Sequence, residues 1–197
     1  MAGGKGLILD RDGVINLDIG YLHRIEDCVF VDGIFELLHE FQARGFRLVI
    51  ATNQSGIGRG LFTEADFERL TDWMRARFRE RGVVIDAVYC CPDHPTEGIG
   101  CHRRESNQRK PAPGMILEAI HDLGLDPAAS WAIGDRERDI QAASAAGIGT
   151  LILIDPGGVE EIRPDGVTVV RTLGAVGALL ARGCEDPGVS PNVPQHG

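Results

Sequence analysis

At 197 residues, with 43% hydrophobic and 25% charged side chains, the chain is long enough for one sizeable core and short for two. A formal net charge of −9 argues against nucleic acid and anionic membranes as general partners, so an anionic ligand must be attracted locally. No apolar run approaches the roughly 20 residues that cross a bilayer, and the start does not read as a basic-then-apolar signal segment, so a cytoplasmic location is expected.

The first element is a short apolar run, Leu7-Ile8-Leu9, which reads as a buried strand and ends in Asp10-Arg11-Asp12-Gly13-Val14-Ile15-Asn16. Two carboxylates one residue apart at a strand end repel each other, and their burial makes sense chiefly with a cation or a proton between them. Ile34, Phe35, Leu37, Leu38 and Phe41 then fall at helical spacing, with Gly45 at the stop. Residues 47–51 form a second apolar strand, ending in Thr52-Asn53-Gln54-Ser55-Gly56. Thr63 with Asp66 three residues on marks a helix start, and Phe67, Leu70, Met74 and Phe78 make its core stripe.

A third strand is expected over 83–89. The segment 91–113 is irregular, rich in Pro, Gly, Cys, His and Arg, and long for a loop in a compact domain, as functional loops often are. A helix over 115–123 leads to a fourth strand, 131–134, that ends at Asp135. A short helix over 140–146, a fifth strand over 150–154, a last strand over 167–170 and a helix over 173–181 follow. Residues 185–197 carry three Pro and two Gly with little to bury and are expected to be a disordered tail, leaving one domain over 1–184. The five cysteines (Cys28, Cys90, Cys91, Cys101, Cys184) are odd in number, which argues against a disulfide framework.

Strands alternating with helices predict an α/β fold with a doubly wound, mainly parallel, Rossmann-like sheet and no large cap domain. Ligands of such sheets bind beyond the carboxyl ends of the strands, at the topological switch point. Asp10, Asp12, Thr52, Asn53 and Asp135 fall at those ends, and Lys110 closes the long loop. Singly, each is an ordinary turn, cap or surface residue. Jointly they supply what Mg²⁺ and a phosphoryl group require: carboxylate oxygens for a hard cation, hydroxyl and ammonium donors for phosphoryl oxygens.

The set D-x-D-G-V-I-N, T-N-Q-S-G, R-K-P-x-P-G-M and G-D-x-x-x-D resembles the haloacid dehalogenase superfamily of phosphohydrolases, over about residues 5–154. Asp18-Ile19-Gly20-Tyr21 and Thr52-Asn53-Gln54-Ser55-Gly56-Ile57-Gly58-Arg59-Gly60 narrow the resemblance to one group. It holds the D-glycero-D-manno-heptose-1,7-bisphosphate 7-phosphatases and the histidinol-phosphate phosphatases. The resemblance implies Asp10 as nucleophile, forming an aspartyl-phosphate, and Asp12 as general acid and base. It also implies Mg²⁺ held by Asp10, the backbone carbonyl of Asp12 and Asp135, with Asp139 supporting them. Thr52 and Lys110 would hold the phosphoryl oxygens. Asp18, Gly20, Tyr21, Asn53, Gln54, Ser55 and Arg109 are the implied substrate contacts. Arg109 is a candidate for a second anionic group, with Arg136 and Arg138 nearby.

The expected activity is therefore a Mg²⁺-dependent removal of the 7-phosphate from a heptose 1,7-bisphosphate in carbohydrate metabolism, by a cytoplasmic monomer whose partner is a small sugar phosphate. A histidinol-phosphate phosphatase shares the same core residues. A phosphoacceptor signalling domain also uses several Asp, a Thr and a Lys, but places its acceptor after the third strand, where this chain has Tyr89-Cys90-Cys91. Many relatives carry zinc in the long loop, with the ligand pattern C-x-H and C-x-C. Here Cys91, Asp93, Cys101 and Arg103 occupy those places, and arginine does not ligate metals. A loop held by prolines and hydrogen bonds is expected, the alternative being a tetrad from Cys91, Asp93 or His94, Cys101 and His102.

Overall fold

The computed structural model describes residues 3–182. Seven strands, β1 (Lys5–Leu9), β2 (Phe46–Asn53), β3 (Ala87–Cys91), β4 (Trp131–Gly134), β5 (Thr150–Ile154), β6 (Glu161–Ile162) and β7 (Thr168–Val170), make one sheet of order β3-β2-β1-β4-β5-β7-β6. Every pairing is parallel except β6 with β7. The chain runs outward from β1 to β3, then returns to β4 on the other side of β1. The ends of β1 and β4 thus flank the switch point where a ligand crevice opens.

Alternation along the strands decides which helices cover which face. Leu7, Leu9, Leu48 and Ile50 point to one side, against α1 (Ile34–Ala43), α3 (Glu64–Arg79) and α6 (Leu173–Arg182). Ile8, Val49 and Ala51 point to the other, against α4 (Gly114–Leu123) and α5 (Glu137–Ala145). Strands covered on both faces read as continuous apolar runs, which is why β1 and β2 stand out in the sequence. A single-turn helix, α2 (Ser55–Gly58), follows β2. α3 begins with the expected cap: Thr63 Oγ1 accepts from Asp66 N while the Asp66 carboxylate accepts from Thr63 N.

Two expectations need correction. The third strand is not 83–89 but Ala87–Cys91, because Val83 and Ile85 are buried as part of the turn leaving α3. Val83 N donates to Phe78 O there, and Asp86 turns its carboxylate onto Leu48 N (2.8 Å), so pairing with β2 starts only at Ala87. The two-residue strand β6, exposed and antiparallel, carries no apolar pattern and was not expected. The tail expected from 185, the end of the domain at 184, and Cys184 lie outside the described residues. Among the described residues no helix is long and apolar enough to cross a membrane, and no large cap is inserted.

Phe78 is fully buried, with its ring 5.4 Å from Phe30 and 5.1 Å from Phe35. Phe78→Ala should destabilise the protein by about 3–5 kcal/mol in urea unfolding, since the well-packed site cannot collapse around the cavity. A loss below about 1 kcal/mol would mean that this aromatic cluster does not anchor α3.

Candidate active site

Asp10 leaves the end of β1 directly, and its N–H donates to Ile133 O of β4 at 3.0 Å, so the backbone holds it at the switch point. Its side chain is 7% exposed, and Lys110 Nζ donates to Asp10 Oδ1 at 2.7 Å. The same ammonium, 4% exposed, donates to Ala51 O of β2 and meets Asp139 Oδ1 of α5, each at 2.7 Å. Lys110 thereby ties β1, β2 and α5 at one point, through two hydrogen bonds and the ion pair with Asp139. Asn53 holds the lysine backbone from below: Lys110 N donates to Asn53 Oδ1 and Asn53 Nδ2 donates to Lys110 O, both at 3.0 Å.

Asp12 stands opposite, part-exposed in a cage of donors. Arg11 donates to it through Nε and Nη2 (2.9–3.2 Å), Asn16 Nδ2 donates to Oδ1 at 2.9 Å, and Gln54 Nε2 donates to Oδ2 at 3.0 Å. Gln54 also donates to Thr52 Oγ1 at 2.9 Å and accepts from Arg11 Nη2. The buried Arg11, which the sequence reading passed over, is therefore a strut between Asp12, Gln54 and Leu22 O. Thr52 is 1% exposed and keeps its own hydroxyl proton for another acceptor.

Asp135 follows β4 and approaches Gly13 so closely that a Cβ there would sit 2.3 Å from Asp135 Oδ2. Gly13 also has φ +94°, so both its conformation and the carboxylate beside it demand glycine. Asp135 Oδ1 is buried with no hydrogen-bond partner, and burial plus the charges of Asp10 and Asp139 push its carboxyl up to about 6. Burial also raises Asp10; Lys110 pulls the other way, but Asp139 adds to the rise. Burial works against the charged form of Lys110, yet Asp10 and Asp139 outweigh it and raise its proton affinity.

The balance is thus negative: with Asp12 paired to the buried Arg11, Asp10, Asp135 and Asp139 remain against one buried ammonium and the exposed Arg136. Carboxylate oxygens of Asp10, Asp135 and Asp139 lie within 4.8 Å of one another. Asp139 is already occupied, by Lys110 and by Arg136 N (3.0 Å) as it caps α5, which leaves Asp10 and Asp135 to share an ion. An orphaned carboxylate oxygen in an all-oxygen site fits a hard divalent cation such as Mg²⁺.

Above this floor opens a crevice of about 370 Å³. Asp18, Gly20, Tyr21, Asn53, Gln54, Ser55, Arg109 and Arg138 are among the residues that line it. Arg136 pairs instead with Asp135 Oδ2 (3.1 Å) and Asp18 Oδ2 (3.4 Å). Tyr21 adopts φ +52°, and the Arg59 guanidinium lies 5.1 Å from its ring centre and hydrogen-bonds its hydroxyl. Arg59 also pairs with Glu97 at 2.8 Å, and Glu97 N donates to His94 Nδ1. Arg59, His94 and Glu97 line the crevice; the sequence offered Arg59 only within the G-I-G-R-G run and His94 only as an alternative zinc ligand, and it did not mark Glu97.

Comparison with known proteins agrees with this chemistry. The HAD-hydrolase-like family model matches residues 107–165. The chain is 52% identical to a D-glycero-α-D-manno-heptose-1,7-bisphosphate 7-phosphatase of Burkholderia mallei, over 85% of this chain and 88% of that protein. It is 48% identical to the D-glycero-β-D-manno-heptose-1,7-bisphosphate 7-phosphatase of Escherichia coli K12, over 77% and 79%. Among solved structures, the D,D-heptose 1,7-bisphosphate phosphatase of B. bronchiseptica, complexed with magnesium and phosphate, aligns with a TM-score of 0.76. Its sequence identity is 33%, covering 91% of this chain and 99% of that one.

The raised Asp135 carboxyl gives a signed expectation. Between its ordinary value and about 6 the folded protein binds more protons than the unfolded chain, so metal-free stability falls as pH rises through that window. Near neutral pH in EDTA, Asp135→Asn should therefore melt higher than the parent by a few degrees. Added Mg²⁺ should raise the parent's melting temperature and leave the variant's unchanged. A variant that melts lower in EDTA, or still responds to Mg²⁺, would contradict the charge balance described above.

Proposed function

The chain belongs to the D-glycero-D-manno-heptose-1,7-bisphosphate 7-phosphatase family of haloacid dehalogenase-like hydrolases, and from that premise we propose that it removes the 7-phosphate of a heptose 1,7-bisphosphate. The observation that carries the reading is the buried pair of Asp10 and Lys110 facing the orphaned Asp135 oxygen. Lys110 occupies Asp10 Oδ1, which leaves Oδ2 to attack phosphorus. The Oδ2–P bond forms as the bond from phosphorus to the sugar oxygen breaks, and Asp12, protonated by the water consumed in the preceding turnover, gives that proton to the sugar oxygen. Asp12 then takes a proton from water, whose oxygen attacks phosphorus and restores the Asp10 carboxylate.

Thr52 donates its hydroxyl to a phosphoryl oxygen. Lys110 orients Asp10 and acts on the phosphoryl group through its charge. Asp10, the Asp12 carbonyl and Asp135 would hold Mg²⁺, which when bound would supply the positive charge that lets a carboxylate approach a phosphate dianion. Asp18, Gly20, Tyr21, Asn53, Gln54 and Ser55 contact the sugar and the transferred phosphate, and Arg109 holds the second phosphate across the crevice. Asn53 and Gln54 do so while bracing Lys110 and Asp12. The protein acts in the cytoplasm as a monomer with one catalytic domain over 1–184.

The histidinol-phosphate reading is not favoured, given relatives named for heptose bisphosphates at 46–52% identity. A signalling receiver is not favoured either, since the first carboxylate after β3, Asp93, is buried in ion pairs with His102 and Arg104.

Phosphate release should be assayed with Mg²⁺ on both anomers of heptose 1,7-bisphosphate, histidinol phosphate and simple sugar monophosphates. The reading predicts preference for a heptose bisphosphate; preference for histidinol phosphate would overturn the substrate. Asp10→Asn should abolish turnover, and Thr52→Ala should lower kcat by about 10²–10³. Retained activity in purified Asp10→Asn would sink the nucleophile assignment.

A further inference from the structure

The loop between β3 and α4 holds a buried carboxylate that the reaction does not use. Asp93 is 2% exposed, yet both its oxygens are paired. His102 Nδ1 lies 2.9 Å from Oδ1, and Arg104 Nε donates to Oδ2 at 2.8 Å. An ionised carboxylate only accepts, so the Nδ1 of His102 carries the proton. Burial alone would raise the Asp93 carboxyl; the His102 and Arg104 contacts more than offset it and hold it below its ordinary value. The same residue works through its main chain, since Asp93 O accepts from Arg109 Nη1 at 3.1 Å.

The backbone closes around this point. His94 N donates to His102 O at 3.0 Å, and Ile99 N donates to Gly58 O of α2 at 2.7 Å. A Cβ at Gly98 would lie 2.1 Å from His102 O, and one at Gly58 would lie 2.2 Å from Pro92 O. The four positions where relatives carry zinc do not fit a metal here. Asp93 is fully engaged, Arg103 has no lone pair to give, and Cys101 is exposed. Cys91 is buried, facing Ser106 Oγ at 3.9 Å.

We propose that Asp93 is the positioning residue of this loop, clamping His102 and Arg104 in place of a metal ion and presenting Arg109 to the second phosphate of the substrate. The inference rests on the phosphatase reading only for the identity of that phosphate. Arg109 and Arg138 line the same crevice as Asp18 and Tyr21. Among the described residues the Arg109 side chain makes no hydrogen bond other than to Asp93 O, so its remaining donors are available to an anion. An arginine anchored by one donor arrives pre-oriented; one released from Asp93 must be ordered by the substrate itself.

The test compares the parent with Asp93→Asn and with Arg104→Met, whose exposed side chain can be removed without opening the core should Asp93→Asn fail to fold. Heptose 1,7-bisphosphate and heptose 7-phosphate serve as substrates. Zinc content is measured on protein purified without chelator, and tryptic cleavage at Arg103 and Arg109, present in every variant, is followed with and without a zinc chelator. The clamp predicts that KM for the bisphosphate rises about tenfold, while kcat, and KM for the monophosphate, stay within about twofold. It also predicts well under one zinc per chain, faster tryptic cleavage in the variants, and no effect of chelator. Equal losses on both substrates would reduce Asp93 to a purely structural role and overturn the positioning claim. Stoichiometric zinc whose removal exposes the loop would overturn the clamp. Were the parent inactive on both sugars, the phosphatase reading would fall, while the zinc and proteolysis results would still decide the clamp.

Discussion

An ammonium buried between two carboxylates is the constraint on which this molecule turns. Lys110 Nζ lies 2.7 Å from Asp10, from Asp139 and from the carbonyl of Ala51, with almost no solvent to share the cost. Removing such a charge from water costs several kcal/mol, and the arrangement stands only because three acceptors replace the lost water. The consequence is architectural as well as chemical. The end of β1, the end of β2 and the first turn of α5 cannot drift apart without stranding a charge, so the switch point of the sheet is held open at one width.

The rest of the site follows from the charge left over. One ammonium does not neutralise Asp10, Asp135 and Asp139, and the surplus shows in the raised Asp10 and Asp135 groups and in the orphaned Asp135 oxygen. A divalent cation resolves that surplus, and a phosphate dianion is then attracted to a chain whose overall charge is −9. Glycine at position 13 is what lets Asp135 come near enough to take part. Asp12 is held by Arg11, Asn16 and Gln54 rather than by Lys110. Two carboxylates two residues apart thereby acquire different surroundings and different tasks.

Much of this was legible in the sequence because burial on both faces writes itself as unbroken apolar runs. β4 and β5 fall where Trp131-Ala132-Ile133-Gly134 and Thr150-Leu151-Ile152-Leu153-Ile154 put them, and Asp135 after β4 joins the carboxylate cluster. The third strand was displaced because Val83 and Ile85 are as apolar as strand residues while packing as a turn, and period alone does not separate the two. Arg11 was passed over because an arginine between two aspartates reads as a surface charge, whereas it is 2% exposed. Arg59, His94 and Glu97 reach the crevice through contacts between segments far apart in the chain, which no local pattern encodes.

The central claim is that Asp10, oriented by Lys110, is the group that accepts the phosphoryl moiety. Acid-quenching the enzyme during turnover of heptose 1,7-bisphosphate with Mg²⁺, then mapping peptides by mass spectrometry, tests it directly. The account predicts one added phosphoryl group, labile to hydroxylamine, on the peptide bearing Asp10 and located on that residue. Turnover with the added mass on Asp12, or with no phosphorylated peptide at any quench time in a variant slowed at its second step, would contradict it.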